Sequence, residues 1–189
     1  MLRDSVGSCR LRRRQLSMST LRWQTHQSPI GALLVAESDQ GLALLTWCET
    51  WDAAESILCK RLGDQASYFE HDPKSAQTTT IEQFFQHAGR VEPPPLDVTG
   101  TVFQTRVWAA LRTLPVGETR SYAEVAAMIG QPGAARAVAG ACAANPVTLF
   151  TPCHRVVRAG GEIGGYGGGL DRKRALLALE QGSPFESTP

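Results

Sequence analysis

Glu92-Pro93-Pro94-Pro95-Leu96 constrains this chain more than any other stretch. Each proline fixes φ, removes a backbone donor and restricts the residue before it, so neither a helix nor an inner strand can run through positions 93–95. The chain is therefore expected to fold as two units, 18–92 and 96–183, flanked by 1–17 and 184–189. Charge follows the same division: residues 1–22 hold six Arg against one acid, residues 23–97 four bases against eleven acids, and residues 98–189 nine bases against six acids. A net charge of +1 over 189 residues conceals this pattern. A polyanion would meet the C-terminal unit or the N-terminal arm rather than the acidic middle, although ordinary solvated surface charge explains the counts equally well.

The first unit reads as strands at 21–23, 31–36 and 42–47, the last two separated by the Ser38-Asp39-Gln40-Gly41 turn. A small antiparallel sheet is the expectation. Ala53, Ile57, Leu58 and Leu62 lie near helical spacing and predict a helix over 52–62, with another over 80–87. Residues 1–17 read as a disordered basic arm, with Met18 as a second candidate start. No apolar run follows Arg12-Arg13-Arg14, so an export signal is not expected, and no stretch reaches membrane-spanning length. Cys9, Cys48, Cys59, Cys142 and Cys153 form no Cys-x-x-Cys pair, which argues against a disulfide framework or a zinc ribbon and for a reducing, cytoplasmic compartment.

The second unit is mostly helical. Phe103, Val107, Leu111 and Leu114 recur four, four and three apart, predicting a helix over 102–114 that Pro115-Val116-Gly117 ends. Ser121 and Glu124 stand at capping-box spacing, so a helix should start at Tyr122 and run to Ile129. Gly130 and Gln131-Pro132-Gly133 then turn the chain into a helix over 134–144. Two short helices around a glycine turn make a helix-turn-helix candidate, with an ordinary αα-hairpin as the alternative. The second helix is almost all Ala, Gly and Val, small enough to approach a nucleic-acid groove, and Arg136 is its one protruding cation.

Pro152-Cys153-His154-Arg155 sets a nucleophile beside the one side chain that titrates near neutral pH. The thiolate is the attacking form, and a neighbouring imidazole can lower the thiol pKa enough to populate it. Adjacent residues point different ways, so a bridging water or a turn set by Pro152 is needed to connect the two. The glycine-rich stretch 160–169 lacks a Gly-Lys-Ser/Thr or a Gly-x-Gly-x-x-Gly after a strand, so no nucleotide cofactor is expected. His26, His71 and His87 stand apart from the cysteines, and no metal is expected.

With Gly140-Ala141-Cys142-Ala143-Ala144-Asn145 and Pro152-Cys153-His154-Arg155-Val156-Val157, positions 95–180 resemble the O6-alkylguanine-DNA alkyltransferases, most of all the C-terminal half of the bacterial adaptive-response members. The resemblance implies an α+β fold: an N-terminal ribonuclease-H-like scaffold of small antiparallel sheet and helices, then a mostly helical domain with a helix-turn-helix. It implies single-turnover transfer of an alkyl group from O6 of guanine in DNA to Cys153, with O4-alkylthymine left open. His154 would act through water, oriented by Glu180, with Asn145 holding the joint and Arg155 structural. Arg136 would fill the gap left by a flipped base, Ala135 would meet the minor groove, and Tyr122 would assist rotation and protonate the base. Guanine would be held by the carbonyls of Cys153 and Val156 and by the amides of Tyr166 and Gly167; glycine at 167 leaves room for adducts larger than methyl. The implied partner is double-stranded DNA carrying alkylated guanine, bound by a monomer in the nucleoid-bearing cytoplasm, with cooperative assembly left open. The N-terminal zinc module of the adaptive-response proteins has no counterpart, so activation of transcription by that route is not expected. Two other classes compete. A non-catalytic lesion binder of this fold would replace the cysteine, and a cysteine hydrolase would need a histidine from elsewhere and an oxyanion hole.

Overall fold

The computed structural model describes residues 20–62, 68–71 and 77–182. The basic arm 1–17, Met18 and the tail 184–189 lie outside them. β1 (Thr20–Ser28), β2 (Gly31–Ser38) and β3 (Gly41–Trp47) pair antiparallel, and β4 (Tyr68–His71) pairs parallel with β1, giving the order β3-β2-β1-β4. Two features depart from the sequence expectation. β1 continues past Trp23 through His26 and Gln27, because backbone pairing with Leu33 and Ala32 of β2 carries it where side-chain pattern gives no signal. β4 has only four residues, too few for alternation to reveal it.

Both faces of β2 are buried. Leu33 and Val35 point into one core, Leu34 and Ala36 into another, as the two-residue period of a strand requires. α1 (Trp51–Leu62) covers the second face through Ala54, Leu58 and Leu62. α2 (Gln77–Gln86) covers the first through Ile81, Phe84 and Phe85. That first core also takes in Val147, Leu149 and Phe150, with Leu176 and Leu179 from α6 (Leu170–Glu180), so apolar residues from both sides of the proline run share one interior. The proline segment is docked rather than free: Leu42 N–H donates to Pro95 O at 2.8 Å, and Asp97 N–H to Leu42 O at 2.9 Å. A second segment covers β3 in the same way, with Leu45 N–H to Pro146 O and Thr148 N–H to Leu45 O, each 2.8 Å. These bonds satisfy the backbone groups of Leu42 and Leu45 on the outer edge of β3.

α3 (Val102–Arg112), α4 (Tyr122–Met128) and α5 (Ala135–Ala143) pack around Val107, Trp108, Leu111, Val125 and Val138. The capping box at Ser121 and Glu124 forms as its spacing predicts: Glu124 N–H donates to Ser121 Oγ at 3.2 Å, and Ser121 N–H to Glu124 Oε2 at 2.6 Å. An unexpected second box, Thr101 with Gln104, starts α3. Gly130, at φ +71°, makes the turn after α4, where a side chain would be strained. Short parallel strands β5 (Arg120–Ser121) and β6 (Val156–Val157) tie the start of α4 to the segment after Cys153. No helix among the described residues is long and apolar enough to cross a membrane.

Candidate functional site

Cys153, His154 and Arg155 form one buried turn of 3-10 helix after Pro152. Three residues per turn send consecutive side chains in different directions. Cys153 faces a cavity of about 470 Å³ lined by Tyr122, Ala139, Cys142, Ala143, Cys153, Arg158, Gly165, Tyr166 and Gly167, within the range of about 300–1,000 Å³ usual for small-molecule sites. His154 turns away from the cavity, into α6. Its Nε2 lies 2.7 Å from Glu180 Oε1, with both side chains fully buried.

That contact fixes the tautomer. An ionised carboxylate only accepts, so Nε2 carries the proton and Nδ1 keeps its lone pair. Nδ1 is the one buried side-chain N or O atom without a partner among the described residues. Burial drives the His154 pKa down against the pull of Glu180, so the imidazole is neutral and available as a base. For Glu180, burial pushes upward, but hydrogen bonds from His154, Arg155 and the Gly117 N–H outweigh it and hold the carboxyl at about 2. Arg155 contributes Nε at 2.9 Å and Nη2 at 2.8 Å to that carboxylate, and Nη1 to Leu114 O at 2.5 Å.

The thiol differs from the expectation. Burial raises the Cys153 pKa, and the amide of Asn145 and the charge of Lys173 only partly offset it, so the resting group is a thiol and not a standing thiolate. The adjacent imidazole does not lower it because that ring points at Glu180. Asn145 Nδ2 sits 3.2 Å from Cys153 Sγ and 2.7 Å from Thr151 O, while its Oδ1 accepts from Val147 N–H at 3.0 Å. One side chain thus joins the end of α5, the covering strand segment and the sulfur. Cys142 shares the cavity, but burial and the nearby Cys153 push its pKa up to about 12.

Tyr122 lies half-buried at the start of α4 on the cavity wall, its pKa raised by burial and then by the two thiols. It is a protonated phenol at neutral pH. Arg136 and Ala135 open α5 away from this cluster, Arg136 exposed and Ala135 half-buried. Val156 is buried in β6, and its carbonyl already accepts from Lys173 Nζ at 2.5 Å, which commits one lone pair. Tyr166 and Gly167 line the same cavity as Ala139, Cys142 and Ala143 of α5.

Two charged residues escaped the sequence reading. Lys173 is wholly buried and also donates to Gly164 O at 3.2 Å, clamping the glycine loop to the strand after Cys153. Its signal was present: Lys173, Leu176 and Glu180 fall three and four apart, on one face of α6. Arg158 stands at the cavity mouth, exposed. Nothing in its local pattern separates it from a surface arginine.

Residues 102–182 match the model of the 6-O-methylguanine DNA methyltransferase DNA binding domain, and residues 21–87 that of the ribonuclease-like domain of the same proteins. The chain belongs to the 6-O-methylguanine DNA methyltransferase family. A methylated-DNA–protein-cysteine methyltransferase of Mycolicibacterium paratuberculosis is 62% identical over 164 residues, spanning 85% of this chain and 93% of that one. The bifunctional transcriptional activator and DNA repair enzyme Ada of Escherichia coli is 38% identical over 164 residues but is spanned for only 45% of its length. Among solved structures, Mycobacterium tuberculosis OGT in complex with DNA superposes with a TM-score of 0.71 at 41% identity, covering 87% of this chain and 95% of that one. The α+β fold expected from sequence is the fold of this family.

Proposed function

We propose that this protein repairs DNA by transferring an alkyl group from O6 of guanine to Cys153 Sγ, once per molecule. The observation that carries the reading is a buried thiol, bonded by Asn145, that opens on a base-sized cavity beside a neutral histidine braced by Glu180. A water between Sγ and His154 Nδ1 takes the thiol proton to the imidazole, and Glu180 compensates the imidazolium that forms. Sulfur attacks the alkyl carbon, the carbon–O6 bond breaks, and the purine regains a proton from the Tyr122 side of the cavity. The product is a thioether, which cannot ionise or be hydrolysed under mild conditions, so the site is spent.

An O6 substituent inside a duplex lies out of reach of a buried sulfur, so the nucleotide must be extruded. α4 and α5 present the small-residue face that would lie in the minor groove, with Ala135 close to the backbone and Arg136 in the vacated stack. Arg158, at the cavity mouth, would meet the phosphate of the extruded nucleotide. The amides of Tyr166 and Gly167 and the carbonyl of Cys153 would hold the purine edge, with the second lone pair of Val156 O.

Mixing purified protein with duplex DNA carrying a labelled O6-alkyl group tests the reading. One equivalent of label should move to the peptide containing Pro152-Cys153-His154-Arg155; turnover beyond one equivalent, or label on Cys142, contradicts it. Arg136→Ala should slow duplex repair far more than reaction with free O6-benzylguanine, since only the duplex demands an unstacking cost of a few kcal/mol. Single-turnover rates on the two substrates give the ratio; equal slowing would make Arg136 a phosphate contact or a surface cation.

A further inference from the structure

The glycine loop that closes the cavity is held from the sheet on the far side of the proline segment. Trp47, the last residue of β3, is buried and its Nε1–H donates to the Tyr166 hydroxyl at 3.3 Å. Arg172, in the first turns of α6, stacks its guanidinium 4.7 Å from the centre of the Trp47 ring. The same guanidinium donates to Ile30 O at 2.9 Å and Gly168 O at 3.0 Å, and pairs with Glu49. Gly168 approaches the indole so closely that a Cβ there would overlap Cδ1. The indole is therefore held by Arg172 and crowded by Gly168, and its one polar atom reaches the hydroxyl of Tyr166, which lines the cavity. Tyr166 in turn packs against both the sheet core and the helical core.

We infer that Trp47 is a positioning residue that sets how large an O6 substituent the protein accepts, by tethering Tyr166 and with it the wall of the base cavity. The inference rests on the alkyl-transfer reading above. Tyr166 cannot swing outward without breaking the Trp47 bond, and Trp47 cannot follow, because it belongs to a strand. A wall referred to the sheet holds its distance from Cys153 better than a glycine loop alone. A methyl group needs that closeness for alignment with sulfur, whereas a benzyl group gains from any outward give.

The test uses the full chain, wild type, Trp47→Phe, Tyr166→Phe and the double variant, with single-turnover rates on duplex DNA carrying O6-methylguanine or O6-benzylguanine. Trp47→Phe removes the N–H and keeps an aromatic ring. It should slow methyl transfer roughly tenfold, as displacements well under 1 Å can, and slow benzyl transfer much less, raising the benzyl-to-methyl ratio. In the Tyr166→Phe background, which lacks the acceptor, the same change should add nothing. Equal slowing of both adducts, or the same effect with and without the Tyr166 hydroxyl, would reduce Trp47 to packing and overturn the inference. Should Trp47→Phe fail to fold, Arg172→Gln releases both the indole and Gly168 O and should move the ratio in the same direction; an unmoved ratio overturns the inference equally. Absence of any transfer by wild type is a separate result that removes the underlying reading instead.

Discussion

Cys153→Ala is expected to abolish alkyl transfer while leaving DNA affinity nearly unchanged. On the proposed reading the Cys153 sulfur is the acceptor, and the other thiol in the cavity lacks its setting: Asn145 donates to Cys153 and not to Cys142. On the same reading, binding draws instead on α4, α5 and phosphate contacts, which the substitution does not touch. The fold should tolerate the change. Asn145 Nδ2 keeps Thr151 O as an acceptor at 2.7 Å, so the loss is one weak bond to sulfur and a small void, on the order of 1 kcal/mol. Label transfer, gel-shift affinity and thermal melting on the same preparation separate these effects. Residual transfer to Cys142 would show that the Asn145 bond is not what selects the acceptor; a collapsed melting curve would show that the thiol also holds the turn.

The parts of the fold and site that were legible in sequence are those set by local chemistry. The Ser121–Glu124 capping box fixed the start of α4 to the residue, since both of its hydrogen bonds lie within one turn. Three of the four strands of the main sheet were legible, although β1 outran its pattern. Pro152-Cys153-His154-Arg155 marked the reactive segment, but two of its properties depend on distant partners. Whether Cys153 rests as thiol or thiolate is decided by burial from α3, α4 and α5, and where His154 points is decided by Glu180, twenty-six positions away. Residues 93–95 interrupt regular structure, Pro95 and Asp97 bond to Leu42 of β3, and apolar residues from both sides share one interior. The Trp47–Tyr166 bond spans 119 positions, and no local pattern announces it.

Glu180 substitutions are expected to have the largest effect on stability and the second largest on rate. Its carboxylate is the shared acceptor for His154, for Arg155 and for the Gly117 N–H at 3.0 Å. Glu180→Ala leaves the buried Arg155 guanidinium without its counter-charge, and breaking one side of a buried pair costs about 3–5 kcal/mol, or very roughly 6–20 °C of melting temperature in a chain of this size. Glu180→Gln keeps the shape and one acceptor oxygen but also removes the counter-charge of Arg155, so it should fold with part of the same stability loss; it no longer compensates the imidazolium, and single-turnover transfer should fall by about 10²- to 10⁴-fold, the usual worth of a positioned general base. A wild-type rate from folded Glu180→Gln would remove the relay from the mechanism. The pH dependence of stability provides a second check. A carboxyl held at about 2 in the folded chain and near 4.3 when unfolded contributes stability that is fully present above the unfolded value and is lost as pH falls towards the folded one. His154 adds to the loss earlier: it resists protonation in the folded state, while the unfolded imidazole takes up a proton below about 6.5. Melting temperature should therefore decline below about pH 6.5 and more steeply below about pH 4.5. In Glu180→Gln, the lower of the two declines should flatten. If that decline kept its full depth in the variant, the acid sensitivity would belong to other carboxylates and the low folded-state pKa of Glu180 would be wrong.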